Sequence, residues 1–127
     1  MVLWDELAME SKILAILDVR PQVRGHHFGR PFLTPYQIAI AFKERHPEEC
    51  ARIGKPLGGK GTGQRDSLAQ YIGTELSRRI KNRRITGVEG RFLHRANLRS
   101  LQYEMGKKTI KSSAERSYDL SMYRRRD

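Results

Sequence analysis

The sequence has one cysteine, no long apolar run and few acidic residues in its middle. Cys50 alone cannot form an internal disulfide, and a lone cysteine is typical of proteins from a reducing compartment. No apolar run approaches the roughly 18 residues that a membrane span needs. The acidic, amphipathic first twenty residues resemble neither a secretory signal nor an Arg-rich transit peptide. We therefore expect a soluble, cytoplasmic protein with no membrane partner, associated with the nucleoid if its source is bacterial.

Acidic residues are scarcest between positions 54 and 111, where four Asp and Glu stand against fourteen Lys and Arg. The first twenty residues show the opposite balance, with four acids against two bases. The whole chain of 127 residues carries a formal net charge of +11. Such a local excess of positive charge repels itself unless a polyanion neutralises it, and nucleic acid is the common polyanion. Arg outnumbers Lys by 17 to 8, which favours oriented, bidentate contacts.

The sequence also lacks a recognisable catalytic or metal-binding set. The glycine-rich segment 54–62 is similar to a P-loop, but Gly61 stands where Ser or Thr should bind magnesium. His26 and His27 have no further ligands nearby, and a zinc site needs three or four. The four acids of the basic half form no nuclease-like set, and no Ser-His-Asp pattern stands out. We therefore predict no enzyme activity, no cofactor and no metal.

Apolar residues at helical spacing predict an N-terminal amphipathic helix over 3–19, within a first unit of residues 1–20. The apolar stripe is broad for so short a segment. Two interpretations stay open: the helix packs onto its own domain, or it forms a homodimer through residues 3–19. Residues 21–33, which are rich in glycine, proline, histidine and arginine, are predicted to be a connector.

The segment that starts at Thr34 carries the clearest helix signal. Thr34 and Gln37 have the spacing of a capping box, and Pro35 suits the first helical position. This helix should end before Pro47, which can open a second short helix that ends at Gly54. Two short helices that meet at a proline indicate a helix-turn-helix core.

A glycine-rich basic loop over 55–64 precedes the third predicted helix, and it is either a flexible linker or a phosphate clamp. The third helix is predicted over 66–82, with Asp66 or Ser67 as its cap. One face of that helix is apolar, and five basic residues crowd its far end. These residues are Arg78, Arg79, Lys81, Arg83 and Arg84.

Beyond Ile85 the pattern changes to β-branched and aromatic residues interrupted by glycine. We predict a β-hairpin with strands over 85–93 and 98–105 and a turn over 94–97. A short helix over 95–101 is the alternative. Residues 106–127 are polar and basic, and we expect them to be a frayed tail. The predicted fold class is mainly α with a small β-hairpin.

Three helices followed by a two-stranded ribbon, with basic charge on the last helix and the ribbon, resemble the winged helix-turn-helix superfamily over residues 34–105. The long glycine loop departs from the short turn that is usual there. The resemblance implies a winged-helix-like domain whose third helix enters the major groove while the wing contacts the backbone. The nucleic-acid-binding residues predicted from the charge pattern and this resemblance are Lys55, Lys60, Arg65, Gln70, Thr74, Ser77, Arg78, Lys81, Arg83, Arg84, Arg91, His94, Arg95 and Arg99.

The predicted function is binding of double-stranded DNA without catalysis, as a transcriptional regulator or an architectural factor. One alternative is an RNA-binding or ribosome-associated protein, since charge alone does not distinguish the two nucleic acids. A second alternative is a module that binds an acidic protein partner. Readers of RNA usually expose aromatic side chains for stacking. Tyr71, Phe92 and Tyr103 fit buried positions, which favours DNA.

Overall fold

The computed structural model describes residues 2–59, 66–112 and 118–126. These residues form five helices and four short strands in two antiparallel pairs, so the chain is a small domain of mixed helices and strands. No described helix is long and apolar enough to cross a membrane. The helices and strands, in chain order, are α1 (Leu3–Glu6), α2 (Met9–Ile16), α3 (Pro35–Arg45), α4 (Pro47–Ile53), α5 (Leu68–Lys81), β1 (Val88–Leu93), β2 (Gln102–Met105), β3 (Lys108–Lys111) and β4 (Leu120–Arg125).

The single N-terminal helix predicted over 3–19 is wrong, because the chain turns at Ala8. Ala8 adopts a left-handed conformation with φ of 52°, so α1 ends at Glu6 and α2 begins at Met9. A left-handed residue cannot continue a right-handed helix. Alanine is the best helix former and gives no sign of a break, so apolar periodicity runs through this position undisturbed. The turn directs both short helices onto the same core.

The apolar stripe of this segment is covered by the chain itself. Six of its side chains are at most 5% exposed, and Val2 is the only large apolar residue of positions 2–19 that stays strongly exposed. The structure therefore supplies the packing that the homodimer through residues 3–19 was predicted to supply, and the dimer itself stays an untested prediction. The six buried residues are Trp4, Leu7, Met9, Ile13, Ile16 and Leu17.

The capping box that opens α3 is confirmed. The Thr34 amide donates to Gln37 Oε1 over 2.8 Å, and the Gln37 amide donates to Thr34 Oγ1 over 3.4 Å. The helix ends at Arg45, and Pro47 opens α4 at once, as predicted. Gly54 closes α4 in a left-handed conformation with φ of 70°, which glycine adopts without strain.

The start of α5 is built on the glycine loop. Ser67 is the cap, and its hydroxyl accepts from the Gln70 amide over 3.1 Å. The Leu68 amide donates to the Pro56 carbonyl over 2.7 Å, which fixes the loop beside the helix. Gly58 is buried here with φ of 116°, and a Cβ on it would lie 2.8 Å from Ser67 Oγ. The described part of this loop is therefore packed and not a flexible linker. The phosphate clamp, which needs Lys60 and Arg65 outside the described residues, stays a prediction.

The predicted β-hairpin is wrong in its pairing. β1 pairs with β4, and β2 pairs with β3, both antiparallel. Residues 94–97 form a turn, closed by a 3.0 Å hydrogen bond from the Leu98 amide to the Arg95 carbonyl, but it joins strands of different sheets. The alternative helix over 95–101 is also absent from this described segment.

The expectation of a frayed tail over 106–127 is wrong for the described residues, which include β3 and β4. Leu120 and Tyr123 of β4 are 4% and 2% exposed, so this strand belongs to the core. The arginines after Tyr123 make the segment polar in composition, so its sequence did not indicate a strand. Leu120 and Tyr123 point to opposite faces of the strand, so each face of β4 has one buried apolar anchor.

A backbone bridge enlarges the sheet of β1 and β4. Leu33 and Tyr123 exchange two hydrogen bonds of 2.8 Å, so β4 lies between Leu33 and β1. The Tyr123 hydroxyl donates to the Gly73 carbonyl of α5 over 3.0 Å and lies 2.6 Å from Ser77 Oγ. The sheet is thereby attached to the middle of α5.

Gly58→Ala should destabilise the protein by about 2–4 kcal/mol, because the new Cβ is strained by the backbone and collides with the cap of α5. Gly106→Ala is the matched control: its φ is also positive, at 61°, but no atom lies within 4 Å of the new Cβ. That control should lose only about 1 kcal/mol. Urea unfolding of both variants measures the difference, and equal losses would contradict a packed loop.

Candidate nucleic-acid interface

One face of α5 is polar and exposed along its whole length. The predicted site residues on this helix stand at positions i, i+4, i+7, i+8 and i+11, which form one stripe, and all five are exposed. The opposite face carries Leu68, Ile72 and Leu76, each 0% exposed. The helix is therefore held by the core on one side and presents a continuous polar surface on the other. The stripe consists of Gln70, Thr74, Ser77, Arg78 and Lys81.

Positive charge is concentrated where this stripe ends. Lys81, Arg83 and Arg84 are exposed, and none has a carboxylate partner among the described residues. Arg83 is left-handed with φ of 58°, and the Arg84 amide donates to the Arg79 carbonyl over 2.9 Å. These bonds close the helix and give the three cations defined places on one turn. Cations at a helix C-terminus also interact favourably with its dipole.

Other cations of the predicted site have nearby acidic partners. Lys55 pairs with Asp66, and Arg78 pairs with Glu75 on the same helix. Four carboxylates, three within the basic region and one directly before β4, thus reduce the unpaired positive charge of the predicted site. The sequence did not indicate these pairs. The other pairs are Arg91 with Glu89 at 3.4 Å, and His94 and Arg95 with Asp119 at 3.4 and 3.6 Å.

Three of the predicted residues remain apart from these pairs. Arg99 is exposed on the segment between β1 and β2, with no ion pair among the described residues. Lys60 and Arg65 lie outside the described residues. The structure therefore places the α5 stripe and the cations after it on one helix and its C-terminal turn. His94, Arg95 and Arg99 lie in the segment between β1 and β2.

Arg79, in the middle of the basic run, has a structural role. It is 7% exposed, and its guanidinium lies 3.2 Å from Glu75 Oε1 and 5.0 Å from the centre of the Trp4 ring. Asp5 is 3.8 Å away. This side chain therefore holds α1 against α5 through charge and a cation–π contact. Its i, i+4 spacing to Glu75 is a sequence signal that Lys81, Arg83 and Arg84 lack.

A second arginine cluster fastens β4 to β1. Glu89 is 8% exposed and accepts a hydrogen bond from Arg124, which is its direct neighbour across the ladder. Arg91 and Arg126 lie 3.4 and 3.9 Å from the same carboxylate. The bond from Arg124, helped by the charges of Arg91 and Arg126, lowers the pKa of Glu89 below its ordinary value. Arg124 also donates to the Phe28 carbonyl over 2.7 Å.

A groove of about 580 Å³ lies between α5 and the sheet. Its lining includes Pro35, Gly73 and Tyr123, and Gln70 and Thr74 of the stripe border it. Its other lining residues include two exposed aromatic rings, Phe92 and Tyr118, which are 72% and 45% exposed. The lining is otherwise mostly uncharged.

Phe92 was expected to be buried, and that expectation is wrong. It stands opposite Ser121 in the ladder, two positions from the Gly90–Tyr123 pair, so it shares the sheet face that looks toward α5. It lies past the end of the covered part of that face. Tyr103, by contrast, stacks on Tyr36 with ring centres 5.2 Å apart, and Tyr71 packs edge-on against Trp4 at 5.8 Å. Phe92 is therefore an exposed aromatic residue at the groove, beside the α5 stripe and not part of it, and the sequence reasoning missed it.

Metal chemistry has no visible basis in the part of the chain that the structure describes. No group of three or more His, Cys, Asp or Glu residues there is placed to hold a metal ion. His26 and His27 stack on each other with ring centres 4.5 Å apart, and Phe28 meets both rings edge-on. Burial raises the pKa of the Cys50 thiol, which disfavours the reactive thiolate.

Glu89→Gln should cost about 1–2 kcal/mol of stability at pH 7, because a charge-assisted hydrogen bond between β1 and β4 is lost. A carboxyl whose pKa is lowered in the folded state stabilises the protein above its ordinary pKa of 4.5, and this contribution disappears as the pH falls through the folded value. The deficit of the variant should therefore shrink as the pH falls below 4.5 and through the lowered pKa of the folded state. Urea unfolding in steps of pH measures it. Glu104→Gln, an exposed change in β2, should show no deficit at any pH.

Comparisons with protein-family models, with curated proteins and with solved structures found no match to this chain. The function is therefore inferred from the geometry of the chain itself. The relevant features are the α5 stripe, the three cations that follow it, and the groove between α5 and the sheet.

Proposed function

We propose that this protein binds double-stranded DNA, with the exposed face of α5 in the major groove. The observation that carries the proposal is the two-sided character of α5. One face is buried and attached to the sheet by Tyr123, and the other is an unbroken polar stripe followed by three cations without described carboxylate partners. A rigid helix with such a face is the common means of reading base edges.

The order of the elements supports the finer assignment to the winged-helix class. A helix, α2, precedes an isolated bridging residue, Leu33, and further helices then lead to β1 and β4. The three extended segments lie in the order Leu33, β4, β1. In this assignment α5 is the recognition helix, and the chain between β1 and β4 is the wing. The β2–β3 hairpin is then an insertion within the wing, and α4 is an additional helix before the recognition helix.

The dimensions and chemistry of α5 suit the major groove. Its 14 residues span about 21 Å, which exceeds the groove width of about 12 Å, so the helix crosses the groove with both ends near phosphates. The amide of Gln70 can pair with an adenine edge, and Thr74 and Ser77 can donate or accept. Lys81, Arg83 and Arg84 then lie where the DNA backbone passes the C-terminal end of α5.

Binding of this kind requires no catalytic group, and it fits a transcriptional regulator or an architectural factor. An acidic protein would be attracted by the same cations, but a polar stripe of Gln, Thr and Ser offers it no corresponding gain. Competition of an acidic protein with a labelled duplex distinguishes these partners. Only binding of the duplex should depend on base sequence.

Arg83→Ala with Arg84→Ala should weaken DNA binding by about tenfold and make the salt dependence shallower. If about six phosphates are neutralised, log K falls against log salt with a slope near −5, and each lost cation reduces the slope by about 1. Fluorescence anisotropy on a 20-bp duplex between about 50 and 200 mM salt measures both quantities. The matched control is Lys43→Ala with Arg45→Ala, which removes equal charge from the end of α3 that adjoins α4. Equal losses in both pairs, or a flat salt response, would contradict the proposal.

Gln70→Ala should reduce sequence preference by about 1–3 kcal/mol at one base pair and leave the salt slope unchanged. The reason is that an amide contact to a base edge carries sequence information, whereas a phosphate contact carries charge. Enrichment from a random-sequence duplex pool gives the preference at each position. Gln22→Ala, an exposed glutamine in the connector, is the control and should enrich the same sequences as the unaltered protein.

A further inference from the structure

The geometry points to a pocket for one unpaired nucleobase in the groove between α5 and the β1–β4 sheet, with the base stacked on Phe92. This inference rests on the proposed function and extends it, because it names a feature of the nucleic acid that the α5 stripe alone would not recognise. It assigns a role to Phe92, the more exposed of the two aromatic rings that line the groove.

Exposure of Phe92 is the first support. Its ring is 72% exposed near the end of a strand whose first two residues, Val88 and Glu89, are buried. Tyr118 is 45% exposed and lines the same groove. A flat ring at a groove edge offers one face to a partner, and stacking of a base on an aromatic side chain contributes about 1–3 kcal/mol. The position opposite Ser121 directs this ring toward α5 and away from the Glu89 cluster.

The lining of the groove selects the base over the phosphate. Uncharged donors and acceptors line it, from Gln70, Thr74 and Ser121, while the lining hydroxyls of Ser67 and Ser77 are already bonded to the Gln70 amide and the Tyr123 hydroxyl. These groups match the edge of a base, which presents neutral donors and acceptors. Asp119 is the one ionisable acid in the lining, and a hydrogen bond from the Arg95 amide lowers its pKa. The resulting negative charge repels a phosphate from the groove.

The size and the borders of the groove fit a single nucleotide whose backbone stays outside. A volume of about 580 Å³ falls within the range of about 300–1,000 Å³ that is usual for small-molecule sites. Arg95 lies 3.6 Å from Asp119 and is half exposed, and Arg78 follows Thr74 by one helical turn. Both guanidinium groups are already paired, with Asp119 and Glu75, so they add little net positive charge for the strand that carries the base.

The base must be unpaired, because a paired base in a duplex has both faces covered by its neighbours. Only a bulged, extruded or single-stranded base presents a free face to Phe92. The groove should therefore increase the affinity for duplexes with a local defect, or for junctions of single and double strands, relative to a perfect duplex.

The test uses the full chain and three probes. These are a 20-bp DNA duplex with one bulged 2-aminopurine, the same duplex without the bulge, and the bulged sequence as RNA. The unaltered protein should prefer the bulged DNA over the perfect duplex by about five- to 150-fold, which corresponds to the stacking energy of one base. The 2-aminopurine fluorescence should fall on binding, because stacking quenches it.

Phe92→Ala should remove this preference and the quenching while the affinity for the perfect duplex and its salt slope stay unchanged. Phe28→Ala is the matched control, since Phe28 is also 72% exposed but lies in the connector outside the groove. It should behave like the unaltered protein. Phe92→Tyr, which keeps an aromatic ring, should retain the preference.

Equal affinity for bulged and perfect DNA, with unchanged fluorescence, would overturn the pocket and leave the duplex proposal standing. Equal losses in Phe92→Ala and Phe28→Ala would also overturn it. Absence of binding to all three probes would overturn the pocket together with the proposed function. A stronger preference for the bulged RNA, lost in Phe92→Ala, would support the pocket and overturn DNA as the partner.

Discussion

The hydroxyl of Tyr123 is the contact on which the arrangement of the proposed interface depends. It lies within hydrogen-bond distance of the Gly73 carbonyl and Ser77 Oγ, and its backbone pairs with Leu33 on one side while β4 pairs with β1 on the other. A buried tyrosine with a satisfied hydroxyl supplies both apolar area and direction. Because one side chain joins the connector, the sheet and α5, the distance between the helix stripe and the groove wall is set by the core.

Charge in this protein is divided between two uses. Arg79 and Arg124 are drawn inward by Glu75 and Glu89, where they hold α1 to α5 and β4 to β1. Lys81, Arg83 and Arg84 have no such partners among the described residues and remain on the surface. Buried pairs keep their geometry at the cost of desolvation, while exposed cations keep their hydration and long reach. The net charge of the chain therefore overstates the charge that a partner would meet.

Local signals predicted the helices well, and nonlocal contacts explain what was missed. The caps at Thr34 and Ser67, the proline at 47 and the glycine at 54 act within a few residues, so α3, α4 and α5 could be predicted. Pairing of β1 with β4 joins residues about thirty positions apart, and no turn signal marks it. Likewise Phe92 is exposed because the sheet extends beyond the part of it that the core covers, which depends on the fold. For the candidate site, the α5 stripe followed from helical spacing, but the ion pairs of Arg91 and Arg95 required the fold.

The position of β4 in the chain has a consequence for folding. The central element of the sheet is the last of the described strands to be synthesised, and its partner Leu33 is among the early residues. Contacts of such long sequence separation carry a high entropic cost of closure and slow the final step. The helices can form from local contacts before β4 pairs. The surface between α5 and the sheet forms only when β4 is inserted between Leu33 and β1. Copies of the chain that lack β4 therefore do not form this surface.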